Sequence, residues 1–83
     1  MLFNVEVKIS LKNGMLNPEA TTIERSLDLL GYDVNNAKTI GIITFEMDGE
    51  NESEINKNVE DMCERLLCNP VIHNYDIKIT PLD

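Results

Sequence analysis

Positive charge is scarce in this chain. Seven Lys and Arg face fifteen Asp and Glu, a formal net charge of -8. Non-specific nucleic-acid binding requires basic groups that displace counterions from phosphates, and an anionic membrane surface asks for the same, so both partner classes are excluded. Two cysteines do not make a disulfide framework. The four glycines, at 14, 31, 41 and 49, are scattered, and none belongs to a phosphate-cradling loop. Apolar runs last only a few residues, against the roughly 20 needed to span a bilayer. Met1-Leu2-Phe3 leads straight into Glu6 and Lys8 without the basic flank and apolar block of a secretory signal. The chain therefore reads as cytoplasmic with reduced thiols.

What is present suits a single domain over 1–83, with 42% hydrophobic residues. A domain this short buries only about 60% of its unfolded-chain surface, so its own core is thin and self-association is expected. Residues 2–12 alternate: Phe3, Val5, Val7, Ile9 and Leu11 on one face, Asn4, Glu6, Lys8, Ser10 and Lys12 on the other. Period two over this length predicts a half-buried strand, ended by the turn-forming pair Asn13-Gly14. Asn17 as cap, Pro18 at the first helical position and Glu19 in the first turn open a helix. Ala20, Ile23, Leu27 and Leu30 give it one apolar stripe, and Gly31 supplies a left-handed end.

Ile43, Phe45 and Met47 alternate with Thr44, Glu46 and Asp48 as a middle strand. Ile40 and Ile42 sit on the opposite parity, so a bulge near Gly41 or a split into two short strands is expected. A second helix follows, capped by Asn51 with Glu54 or by Ser53, with Ile55, Val59, Met62 and Leu66 as its buried stripe. Asn69-Pro70 stops it, and Tyr75, Ile77 and Ile79 mark a last strand. The order β-α-β-α-β with alternating strands predicts an α+β fold: a two-layer sandwich of a small, largely antiparallel sheet with two helices on one face. The polar face is left wet or covered by a second copy.

Candidate chemistry is thin. His73, the only histidine, lies in a predicted turn with no serine or cysteine motif beside it, and reads as a surface residue. Cys63 and Cys68 are five apart on the predicted helix, which at 3.6 residues per turn sets them about 140° apart. That geometry forbids a shared metal or an intrahelical disulfide, so both read as structural thiols. More than half of the acids crowd into 46–64. A calcium loop starting at Asp48 would need Gly at its sixth position and Glu at its twelfth, but Gly49 follows at once and Val59 stands twelfth. The run reads as a solvated helix face.

Two blocks are more specific. One runs from Val5 through Leu11-Lys12-Asn13-Gly14-Met15-Leu16-Asn17-Pro18 to Leu30-Gly31-Tyr32-Asp33-Val34; the other is Met62-Cys63-Glu64-Arg65-Leu66-Leu67-Cys68-Asn69-Pro70-Val71-Ile72-His73-Asn74-Tyr75. In this order they resemble the PurS family, the small subunit of phosphoribosylformylglycinamidine synthase. That family carries an alternating strand ending in L-K-x-G-V-L-D-P, a helix ending in L-G-Y and a closing C-E-x-L-L-x-N-P-V-I-E-x-Y. Here Asn17 replaces an aspartate, Glu19-Ala20 replaces a common pair containing glycine, and His73 replaces an acid. Lys38-Thr39-Ile40-Gly41 stands where the family has a basic R-x-G-K stretch.

The resemblance implies a non-catalytic subunit with no cofactor of its own. It would form a homodimer or tetramer and bridge a large synthetase subunit and a glutaminase subunit. Those partners would use ATP, Mg and glutamine to convert formylglycinamide ribonucleotide to formylglycinamidine ribonucleotide in purine biosynthesis, with ammonia passing between their sites. On this reading the matched turns are the partner-interface candidates: Lys12, Asn13, Gly14, Leu16 and Pro18, and Asn69, Pro70, Val71, Ile72 and Tyr75. Turn geometry and capping account for Gly14 and Pro18 by themselves; Lys12 points outward in the strand pattern. The rival reading is a dimeric regulatory domain that binds a small molecule at its interface.

Overall fold

The computed structural model describes residues 1–82. In chain order these form β1 (Leu2–Leu11), α1 (Pro18–Leu29), β2 (Gly41–Asp48), α2 (Glu52–Met62), a π-helical turn (Cys63–Leu67) and β3 (His73–Leu82). The strands make one antiparallel sheet in the order β2-β1-β3. This is the α+β architecture that the alternating strands predict.

The alternation in β1 sets the core. Phe3, Val5 and Val7 are buried, and they stand level with Met47, Phe45 and Ile43 on β2 and with Pro81, Ile79 and Ile77 on β3. Across from them α2 and the π turn deliver Ile55, Val59 and Cys63, all at 0% exposure. On the opposite face Glu6 stands level with Lys78, and Lys8 with Asp76, so opposite charges face each other across the strands. Pro81 has no N–H to donate, and it belongs to an edge strand, where that loss is tolerated.

The helix caps form as the sequence predicts. Asn17 Oδ1 accepts the Ala20 N–H at 3.1 Å, and Asn51 Oδ1 accepts the Glu54 N–H at 2.9 Å. Glu54 reaches back to accept the Glu50 N–H at 3.4 Å. α1 ends in a Schellman motif: Gly31 at φ +93 donates to Asp28 O and Tyr32 donates to Leu27 O.

The middle strand differs from expectation. Its register against β1 runs unbroken from Gly41 to Asp48, with neither a bulge nor a split. Ile40 precedes the strand, and Ile42 lies on the wet face, 58% exposed. The change of parity is thus resolved by where pairing begins.

The two helices share the work unequally. α2 covers the core, whereas α1 makes no sustained contact with any strand or with α2. Polar bonds tie it instead to the segment before β2: Asn17 Nδ2 donates to Thr39 Oγ1 at 3.0 Å, and the Ala37 N–H donates to Glu24 Oε1 at 3.4 Å. Of its apolar stripe Ala20 is buried and Leu27 half-buried, but Ile23 and Leu30 face water. The molecule is correspondingly long and thin, 52 × 29 × 14 Å. Its radius of gyration is 16.5 Å, where a compact chain of this length would have about 12 Å.

Candidate functional site

The two turns singled out in the sequence lie at one end of the sheet and are joined. β1 and β3 keep their pairing up to Leu11 and His73, and one step further the Lys12 N–H donates to Ile72 O at 2.8 Å. In the first turn Gly14 adopts φ +83, a left-handed conformation that glycine reaches without a Cβ clash, and the Met15 N–H closes back on Lys12 O at 3.2 Å. Pro18 opens α1 beside the Asn17 cap. Leu16 projects at 80% exposure.

Asn69 organises the second turn. Its carbonyl accepts from Ile72 N–H at 3.0 Å and His73 N–H at 2.8 Å, and its Oδ1 accepts from Val71 N–H at 3.0 Å. Its own N–H donates to His73 Nδ1 at 2.9 Å. His73 is therefore a brace of this turn, a role that its position between Ile72 and Asn74 did not announce. Pro70 and Val71 form the exposed tip, while Ile72 is half-buried. Tyr75 points the other way and packs against the core, and desolvation pushes its hydroxyl above the ordinary tyrosine value, with Glu64 adding to the effect.

Beside the first turn a cavity of about 670 Å³ opens between Lys12, Asn13 and Leu16 on one wall and Asn36, Lys38 and Thr39 on the other. In the sequence this second wall was marked only at Lys38 and Thr39, as a departure from the family's basic stretch, although Asn35-Asn36 is a turn signal, since asparagine tolerates the left-handed φ of +58 seen at Asn36. Lys12 is half-buried and Lys38 exposed. The acids of 46–64 lie on β2, α2, the connection between them and the π turn, outside this wall. The end of the sheet thus carries the exposed apolar tips Leu16 and Val71 beside Lys12 and Lys38. Among the described residues no three His, Cys, Asp or Glu side chains converge as metal ligands. No helix among them is long and apolar enough to cross a membrane.

The cysteines correct the helical reading. From Cys63 to Leu67 the helix widens into a π turn, and the Cys68 N–H donates to Cys63 O at 3.0 Å, five residues back. The angle of about 140° assumed 3.6 residues per turn; in the wider turn residues five apart come to the same side. The same widening turns Leu66 out to 82% exposure, against expectation, and brings Leu67 and Cys68 against the core.

Burial pushes the Cys63 thiol up to about 11, with the Cys68 thiol, Glu64 and Glu60 contributing. A value raised by folding stabilises the fold below the ordinary thiol value and loses that contribution as the pH rises through the folded value. Between pH 9 and 11 the unfolded thiol ionises while the folded one resists. Wild type is therefore expected to lose on the order of 2 kcal/mol across that window relative to Cys63→Val, a difference that urea melts at stepped pH would read. Parallel curves for the two proteins would refute it.

The comparisons agree with the geometry. The PurS family, described as Phosphoribosylformylglycinamidine (FGAM) synthase, matches residues 4–81. A phosphoribosylformylglycinamidine synthase subunit PurS from Methanothermobacter thermautotrophicus is 58% identical over 83 residues, covering 100% of this chain and 99% of that protein. The crystal structure of Methanocaldococcus jannaschii PurS superposes with a TM-score of 0.85 at 43% identity, over 98% of this chain and 99% of that one. A chain in the structure of PurLQS from Thermotoga maritima superposes with a TM-score of 0.85 at 28% identity, over 96% and 99% of the two chains. With its full length matched in sequence and in fold, the chain belongs to the PurS family.

Proposed function

We propose that this chain is the non-catalytic small subunit of phosphoribosylformylglycinamidine synthase, acting in the cytoplasm. It bridges the ATP- and Mg-using synthetase subunit and the glutaminase subunit so that ammonia passes from one to the other. The observation that carries this reading is the full-length similarity, at 58% identity, to a PurS subunit of that enzyme. The joined turns at 12–18 and 69–72 support it as a contact surface, since they place Lys12, Leu16 and Val71 together at one end of the molecule.

The test is reconstitution. Omitting this chain from a mixture of the two larger subunits is expected to lower glutamine-dependent product formation by about tenfold or more, because ammonia lost to bulk water forfeits the advantage of proximity. Lys12→Glu is expected to weaken co-purification of the synthetase subunit while leaving the melting temperature of the isolated chain unchanged. Full glutamine-dependent activity without the chain would overturn the assignment. A melting temperature raised by a nucleotide or amino acid would favour the regulatory reading instead.

The subunit also pairs with itself on this proposal. A folded monomer of 9.4 kDa should expose about 5,000 Å², yet the chain exposes 6198 Å². Covering the excess on both copies would bury a little over 2,000 Å² in total, the lower end of obligate homodimers. Two apolar surfaces supply it. The stripe of α1 leaves Ile23 and Leu30 exposed. At the β2 edge a groove of about 440 Å³, walled by Phe45, Met47, Met62 and Leu66, lies beside α2. The occupant of that groove is α1 of a second copy. Each sheet then gains, from its twin, the second helix that its own chain does not lay over it.

A further inference from the structure

Cys63 and Cys68 remain unused by subunit bridging, and their arrangement is unlike that of two isolated structural thiols. The π turn sets Cys68 on the same side of the helix as Cys63, with the backbone bond from Cys68 N–H to Cys63 O at 3.0 Å holding the two residues together. Cys68 leaves the helix at once in an extended conformation (φ -130, ψ 162), and its side chain packs against the core cluster that contains Cys63. The two differ in access: Cys63 is fully buried, and Cys68 is half-buried. We propose that this pair is a thiol-oxidation site, in which a hydroperoxide reacts at Cys68 and Cys63 resolves the product as an intramolecular disulfide across the π turn.

The chemistry balances. The Cys68 sulfur attacks the peroxide oxygen; an S–O bond forms, the O–O bond breaks, and the thiol proton leaves with the departing oxygen as water or alcohol. The Cys63 sulfur then attacks Cys68; the S–S bond forms, the S–O bond breaks, and the Cys63 proton leaves with the hydroxyl as water. Two electrons pass from the thiols to the hydroperoxide, and no further co-reactant is needed. Access sets the order of events: the half-buried Cys68 sulfur meets the hydroperoxide first, and the π turn presents the buried Cys63 sulfur to the product for the second step. Access decides the first step and the π turn the second.

The reduced full chain, treated with hydrogen peroxide under native conditions, is expected to lose the mass of two hydrogen atoms and both alkylatable thiols. Peptide mapping should place the bond between Cys63 and Cys68. Cys68→Ser, changed outside the buried core, should leave Cys63 alkylatable after unfolding. A second measurement isolates the geometry. In a glutathione redox buffer the effective concentration of the pair should be at least about tenfold higher in the folded protein than in urea, because the turn pre-positions the sulfurs. Oxygen atoms added to Cys68 with Cys63 left free, disulfides only between chains, or equal effective concentrations in the two states would each overturn the proposal.

Discussion

Phe3→Ala is expected to leave little folded protein. Phe3 is 2% exposed and sits on the central strand, level with Met47 and Pro81, within the cluster completed by Ile55 and Val59. Removing a buried phenyl ring costs about 3–5 kcal/mol, combining lost transfer energy with the cavity left behind. The core cluster that must absorb this loss holds only six buried side chains, Phe3 among them. Net stabilities of small domains are near 5 kcal/mol, so one truncation consumes most of the margin. Circular dichroism should show the variant largely unfolded at room temperature, or with a urea midpoint far below that of wild type. A shift of less than about 1 kcal/mol would mean that Phe3 is not a keystone of this core.

Ile23→Asp is expected to separate self-association from folding. Ile23 lies on the apolar stripe of α1 and is 43% exposed, so a carboxylate there is accommodated in the monomer. In the proposed dimer the same position enters the groove beside Phe45 and Met62. The substitution would then forfeit about 1.5–3 kcal/mol of apolar burial and would desolvate a carboxylate in a groove whose one cation, Arg65, is already paired with Asp61 at 3.0 Å. Together these should weaken dimerisation by about 100-fold or more, since each 1.4 kcal/mol is a factor of ten. Sedimentation at micromolar concentration should show a monomer with the helical signal retained. Leu66→Asp, on the opposite wall, should do the same. A dimer that survives both changes would place the self-association surface elsewhere.

The elements most legible in the sequence were those whose information is local. The alternation from Phe3 to Leu11 fixes which side chains can share a face, whatever the rest of the chain does. Asn17-Pro18 and Gly31 bracket α1 through backbone requirements met by few residues. Asn51 and Glu54 do the same at the start of α2. The proposed contact surface was legible in part. Both turns stood out, but Lys12 meeting Ile72 depends on β1 pairing with β3, a contact between residues 60 apart in the chain. The wall from Asn35 to Ile40 shows neither period two nor period 3.6, so only its bonds to Asn17 and Glu24 reveal its place.

Three readings failed for a shared reason: local periodicity presumes regular geometry. The stripe Ile55, Val59, Met62, Leu66 and the angle between the cysteines both assumed an α-helix carried through to Asn69. The chain widens at Cys63 instead, which keeps Cys63 at 0% exposure, brings Leu67 and Cys68 inward and leaves Leu66 in water. The parity slip at Ile40 likewise suggested a bulge, and it vanished once pairing was seen to start at Gly41.

Scarcity of positive charge, scattered glycines, a lone histidine and the absence of long apolar runs were decided by composition alone, because no fold can create groups that the chain lacks. The alternating strands and helix ends were decided by short-range sterics and hydrogen bonding, which act within a few residues. The tertiary structure decided the strand order, the joining of the two turns, the approach of Cys68 to Cys63 and the exposure of α1. Each of these depends on contacts between distant segments, where burial energy and the room left in the core choose among geometries that local preference allows equally.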